Sequence, residues 1–171
     1  MKKTTLSLLL IIILGLFTIA GCGGSNDDEI QPTTATLKIL SQGTSTQIYG
    51  IDVSIVLPAG VTVQATPDTE NPAVQVINSG VVAASGVAAV GTNTSTIATY
   101  SAATSTAPGT VMVQVANAAG FGTGEFVTVT CDIAAGSYPT EGDFNVTLVK
   151  AVDSTGTEIA GLTVGNTADI K

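Results

Sequence analysis

Two short acidic stretches carry the carboxylates whose spacing could support acid–base chemistry. Glu141 and Asp143 lie two residues apart, as do Asp68 and Glu70. A glycosidase needs two carboxyl groups about 5–9.5 Å apart across a cleft, usually beside aromatic side chains that hold the sugar. The chain has no tryptophan, three tyrosines and four phenylalanines. Because loop acids are expected in an acidic chain, we interpret both pairs as solvated surface residues and predict that the protein is not an enzyme.

Oxygen-bearing side chains that could hold a hard cation such as calcium occur in residues 68–71 and 153–158. Neither stretch has the spacing of a known calcium loop. Asp153 and Gly156 stand at the first and fourth positions of a predicted β-turn, which explains both residues without a ligand. We therefore predict no metal site and no cofactor.

Nucleophilic catalysis is disfavoured by what the chain lacks. It contains no histidine and only two cysteines, Cys22 and Cys131. Without an imidazole base, neither a Ser-His-Asp nor a Cys-His arrangement can form. Cys131 lies within a predicted strand, where we expect a buried and inert thiol.

The first 22 residues have the layout of an export signal. Lys2 and Lys3 precede an apolar run over residues 6–19. This run is shorter than the ~18 residues of a membrane-spanning helix and fits the apolar region of a signal peptide. It ends in Ile-Ala-Gly-Cys at residues 19–22, which resembles the lipobox of bacterial lipoproteins. The resemblance implies that the leader, residues 1–21, is cleaved and that Cys22 receives acyl chains such as palmitate.

Several acyl chains together form a stable membrane anchor. Gly23 follows the lipidated cysteine, and by resemblance to lipoprotein sorting this favours the outer membrane and the cell surface over the inner membrane. Residues 22–32 are rich in glycine, serine and acids, so we interpret them as the lipidated cysteine followed by a flexible acidic tether. The folded domain is then expected over residues 33–171.

The mature chain is strongly acidic. Without the leader it holds three lysines, Lys38, Lys150 and Lys171, against thirteen acids, and no arginine, which gives a net charge of −10. Such a surface repels phosphate backbones, so nucleic-acid binding is excluded. A chain of this length suffices for one domain with a single core.

From residue 33 onward the pattern is that of short strands separated by turns. Val111, Val113 and Val115 alternate with polar residues, and no window keeps a helical period over three turns. Residues 81–90 fit either a buried strand pair or a short packed helix, and residues 66–72 are predicted to be a loop. The predicted strands cover residues 35–40, 47–57, 61–63, 73–77, 95–102, 109–116, 124–133, 144–149 and 159–164.

This pattern predicts an all-β, antiparallel β-sandwich of about nine strands, with jelly-roll topology. In strand 124–133 we expect Val127, Val129, Cys131 and Ile133 to face the core. Their neighbours, Phe126 among them, are expected to face the opposite way.

Four segments together resemble the cohesin domain: residues 50–58, 124–131, 144–147 and 153–159. The resemblance extends over residues 33–164. It implies a nine-stranded jelly roll related to carbohydrate-binding modules, and a partner similar to the dockerin modules that cohesins bind. Cys131 departs from the pattern, because the family usually has phenylalanine there. Binding residues cannot be carried over one by one.

Two functions therefore stay open at this point. The leading hypothesis is a non-enzymatic envelope lipoprotein whose cohesin-like domain docks another envelope or secreted protein, or mediates adhesion. The alternative is a polysaccharide-binding module anchored to the outer membrane. Tyr49 and Tyr138 flank turns and could stack on a sugar, but the lack of tryptophan counts against this reading.

Overall fold

The computed structural model describes residues 30–43, 46–70, 74–91 and 93–171. The predicted signal peptide, the lipidation site Cys22 and most of the predicted tether lie outside these ranges, as does Asn71. None of the helical segments within them has the length and apolar character needed to cross a membrane.

Eleven strands and two 3₁₀ turns make up the secondary structure of the described residues. The turns cover Gly86–Ala88 and Glu141–Asp143. The strands are β1 (Thr34–Gln42), β2 (Ile48–Val56), β3 (Val61–Thr62), β4 (Ala65–Pro67), β5 (Gln75–Ile77), β6 (Val82–Ala84), β7 (Thr94–Ser101), β8 (Thr110–Phe121), β9 (Gly124–Ile133), β10 (Asn145–Val152) and β11 (Thr163–Ile170).

The strands form two antiparallel sheets that pack together. Sheet 1 has the order β11-β1-β9-β3, with β6 also paired to β9, and sheet 2 has the order β10-β2-β8-β7-β5-β4. The predicted all-β antiparallel sandwich is thereby confirmed, while its jelly-roll topology stays a prediction. β1 and β2 lie in different sheets, as do most consecutive strands, whereas β4 with β5 and β7 with β8 stay within sheet 2.

The core forms because alternate residues of each long strand point between the sheets. In β8, Val111, Val113 and Val115 are buried, while Gln114 between them is exposed and Met112 is half-buried. β2 contributes Ile51, Val53 and Ile55 in the same way. Burial of such side chains stabilises the fold by about 1.5–3 kcal/mol each.

Phe126 is buried, which corrects the prediction that it faces away from the core. The pairing of β1 with β9 shifts by one residue, so that Ile39 lies opposite Val127 whereas Leu40 lies opposite Glu125. The extra residue is a β-bulge, which turns two consecutive side chains, Phe126 and Val127, toward the core. Strict alternation therefore fails at this point of the strand.

The last strand lies later in the chain than predicted. It was expected over residues 159–164, but β11 covers Thr163–Ile170 and pairs with β1 along its whole length. Ile159 and Leu162 are buried in the preceding loop. They bring apolar residues to the core without forming a strand, which explains why the pattern there was misleading.

The ambiguous and looped segments contain short elements. Residues 81–90 hold both a strand, β6, and a 3₁₀ turn, so neither alternative alone is correct. The predicted loop over residues 66–72 overlaps β4. These short strands raise the count from the expected nine to eleven.

Candidate functional site

The outer face of sheet 2 combines exposed aliphatic side chains with small polar ones. Across its four long strands, Ile97, Gln114, Asp52 and Lys150 lie in one row. Of the six large hydrophobic side chains exposed in the described ranges, three belong to this sheet: Val76 (50%), Ile97 (59%) and Val149 (54%). Val76 and Ile97 lie on the paired strands β5 and β7, whereas β2 and β8 separate them from Val149 on β10.

Two shallow depressions lie on this face. The first, of about 160 Å³, lies among Ile97, Thr99, Met112 and Gln114. The second, of about 170 Å³, is lined by Gly50, Asp52, Lys150 and Val152.

Gly50 helps to keep the second depression open. A Cβ atom added at Gly50 would lie 3.1 Å from Cγ2 of Val152. Neighbouring strands are ~4.8 Å apart, so the Ile97 and Lys150 ends of one row are separated by roughly 14 Å. The face therefore offers an apolar and a charged contact point at that spacing.

The charge of this face differs from that of the whole acidic domain. Its long strands carry one acid, Asp52, and one base, Lys150, as register neighbours. The other two lysines of the described chain have carboxylate partners: Lys38 lies 3.8 Å from Glu125, and Lys171 pairs with Asp169. Within the same ranges, no carboxylate lies within 4.0 Å of Lys150. Its ammonium group is thus available to a partner.

Glu141 and Asp143 each accept a hydrogen bond from a backbone N–H group, of Ala168 and Thr140 respectively. Asp143 Oδ2 accepts hydrogen bonds from the Thr140 N–H (2.7 Å) and hydroxyl (2.8 Å), which caps the 3₁₀ turn. Both bonds lower the pKa of Asp143 below its ordinary value, and the bond from the Thr140 N–H has the larger effect. A depressed pKa keeps the group ionised and suits a cap, not a general acid.

Asp153 closes its own turn. Its Oδ1 atom accepts hydrogen bonds from the Thr155 hydroxyl (2.8 Å), the Thr155 N–H (2.8 Å) and the Thr157 N–H (3.0 Å). The bonds from Thr155 lower the pKa of the Asp153 carboxyl. A bridge between Val152 and Glu158 completes the turn, after which the chain crosses to the other sheet.

The second acidic stretch also forms a local turn. Asp68 Oδ1 accepts a hydrogen bond from the Glu70 N–H at 2.7 Å. In the described ranges, no group of three or more histidine, cysteine, aspartate or glutamate side chains is placed to hold a metal ion.

Of the remaining candidates, Cys131 and Tyr49 pack against other residues of the domain, whereas Tyr138 is exposed. Cys131 is fully buried, and burial raises its pKa to about 12. The ring of Tyr49 packs over Gly120, where a Cβ atom would lie 2.8 Å from Cε2 of the tyrosine. Tyr138 is 53% exposed, but the structure brings no second aromatic ring to it among the ring pairs of the described chain.

A larger cleft opens at the end of the sandwich where β1 begins. It has a volume of about 380 Å³ and lies between the segments 57–62 and 103–109. Neither segment contains a charged residue. The lining of this cleft therefore carries no charged side chain.

Comparison of the chain with protein-family profiles, with curated protein sequences and with solved structures finds no match.

Proposed function

We propose that the protein is a non-enzymatic lipoprotein of the cell envelope whose β-sandwich docks another protein through the outer face of sheet 2. The observation that carries this proposal is the nearly neutral, partly aliphatic character of that face on a strongly acidic domain. Ile97 and Met112 supply apolar contacts. Asp52 and Lys150 supply one negative and one positive charge that fix how a partner is aligned on the face. Interfaces combine such apolar contacts with a polar surround.

The cell-envelope part of the proposal is supported by the lipobox-like residues 19–22 and the apolar run before them. We propose that Cys22 carries the lipid and that the chain is held at the outer membrane, facing the cell exterior. Mass analysis of the mature N-terminal peptide tests this directly. A peptide that begins at Cys22 and carries acyl chains is expected, and an unmodified Cys22 would contradict it.

The cohesin resemblance of residues 33–164 supports the docking part, because cohesins bind a protein module. An affinity pull-down with the full lipidated chain against envelope and secreted fractions, with and without calcium, tests this proposal. Wild type is expected to retain one dominant protein. Ile97→Asp should abolish retention, because it places a charge in the apolar depression.

Val90→Asp is the matched control for that experiment. Val90 is also a large exposed aliphatic residue, at 74% exposure, but it lies in the loop before β7, outside the proposed face. This variant should retain the partner like wild type. Equal retention by Ile97→Asp, or no retained protein under either calcium condition, would contradict the docking proposal.

A further inference from the structure

A pocket lined by both polar and apolar atoms opens where sheet 1 is interrupted. β3 pairs with β9 at Asp132 and Ile133, while β6 pairs with it at 127–129, so both short strands share one edge and leave a gap between them. The chain between them leaves sheet 1 to form β4 and β5 of sheet 2. At the gap, the Thr130 N–H donates to the carbonyl of Val81 at 2.8 Å.

The resulting pocket has a volume of about 270 Å³. We call it the Asp132 pocket, and it is lined by Gln64, Ser79, Gly80, Val81, Thr130 and Asp132.

Four of these residues offer polar side chains, and within the described part of the chain one side-chain hydrogen bond joins two of them. Gln64 Nε2 donates to Asp132 Oδ1 at a long 3.5 Å, which orients the carboxylate. Thr130 and Asp132 are two residues apart on one strand, so their side chains leave the same face of β9 about 6.6 Å apart. Ser79 adds a hydroxyl from the turn across the gap.

The side chains that line the Asp132 pocket indicate which class of ligand it could bind. No lining residue is cationic, and the acidic domain repels anions. A single carboxylate offers a hard cation little charge compensation, and calcium takes six to eight oxygen ligands that commonly include several carboxylates. Hydroxyl groups of a sugar both donate and accept, and they match a carboxylate, an amide and two hydroxyls placed side by side. A pocket just below the ~300 Å³ of common ligand sites has room for one ring.

We propose that the Asp132 pocket binds one neutral sugar residue, with Asp132 and Gln64 holding adjacent hydroxyl groups. The lining contains no aromatic ring for stacking, so the affinity for a single sugar is expected to be millimolar. The pocket lies on sheet 1, so the inference does not depend on the docking face of sheet 2. It assigns the site that polysaccharide binding would use.

The test is a titration followed by backbone amide NMR, using the full lipidated chain in a zwitterionic detergent that has no sugar headgroup. The probes are glucose, galactose, mannose and N-acetylglucosamine, each added separately. At least one sugar is expected to shift the amide signals of Gly80, Thr130 and Asp132. Asp132→Asn should weaken this binding about tenfold, since a charge-assisted hydrogen bond is lost.

Ser79→Val provides a second variant, because residue 79 is exposed and its replacement leaves the core intact. It should weaken binding as well, whereas Glu158→Gln, at a distant exposed acid, should not. A parallel titration with calcium chloride distinguishes a cation site. The inference is overturned if no sugar shifts these signals in wild type, if Asp132→Asn binds as well as wild type, or if calcium alone shifts them.

Discussion

Glu141 Oε2 accepts a hydrogen bond from the backbone N–H of Ala168 at 3.2 Å, across the edge of sheet 1. Asn166 Nδ2 reinforces this contact by donating to the Glu141 carbonyl at 3.4 Å. β11 is an edge strand, and unpaired N–H groups on such an edge can pair with a strand of another molecule. Glu141 therefore covers part of the β11 edge.

We expect Glu141→Ala to lower the free energy of unfolding by up to about 1 kcal/mol, because an exposed hydrogen bond contributes little. The larger effect should be self-association, since the β11 edge loses part of its cover. Urea denaturation and sedimentation velocity measure the two effects. Glu158→Ala, whose side chain is exposed and away from this edge, should leave both unchanged; a monomeric Glu141→Ala protein at high concentration would contradict the protective role.

Phe126 should be among the most costly core residues to truncate. It is fully buried, and its ring stacks on Phe121 with the centroids 6.3 Å apart. Phe126→Ala is expected to reduce the free energy of unfolding by about 3–5 kcal/mol through lost burial and a cavity. Chemical denaturation measures this loss. Thr128→Ala, on the outer face of the same strand, should change stability by less than about 0.5 kcal/mol, and similar losses for the two variants would contradict the bulged geometry.

Acid should destabilise the domain partly through Asp143. Its folded-state pKa lies below the ordinary 3.8, so the folded protein binds fewer protons than the unfolded chain there. The stability that ionised Asp143 gives the fold is fully present above the pKa of the unfolded state. It is lost as the pH falls through the pKa of the folded state. Melting temperatures measured from about pH 5 to pH 2 should therefore fall less steeply for Asp143→Asn than for wild type. Asp153→Asn should behave likewise, because hydrogen bonds from Thr155 lower the pKa of the Asp153 carboxyl. Equal slopes for wild type and both variants would contradict this role of the two carboxylates.

The Cys131 thiol should be unreactive until the domain unfolds. Burial raises its pKa to about 12, so thiolate is scarce at pH 8 and reagents cannot reach the sulfur. In the lipidated chain, a thiol assay should find no reactive group under native conditions and one in denaturant. Fast native labelling would show that the strand around Cys131 opens readily, and two thiols in denaturant would show that Cys22 is unmodified.

The long, regularly alternating strands could be predicted from sequence, because the buried face alone determines their pattern. β9 has its predicted bounds, and β8 begins one residue after its predicted start but extends to Phe121, five residues past its predicted end. β11 could not be, since Gly165, Asn166 and Asp169 give it little apolar alternation. Its position depends on pairing with β1 across more than 120 residues, which no local window contains.

The candidate sites were less accessible to sequence reasoning than the fold. Three acids were candidates for catalysis or cation binding from the sequence. In the structure, Asp143 and Asp153 accept hydrogen bonds within local turns, and Glu141 accepts one from the edge strand β11. Gln64 and Asp132 form one pocket only because two short strands share the edge of β9. Residues so far apart in the chain carry no shared motif, so only the pairing of strands brings them together.

The central position of β1 determines how the domain would transmit a pulling force. β1 is hydrogen-bonded to β11 on one side and β9 on the other, and Thr33 also donates to the carbonyl of Lys171. For a domain tethered through the residues before β1, tension runs along this strand. The hydrogen bonds of β1 to β11 and to β9 must then break at the same time. The hydrogen bonds of an edge strand could instead break one after another. If the domain is anchored and docks a partner as proposed, the load between the two is borne by a strand that is hydrogen-bonded on both sides.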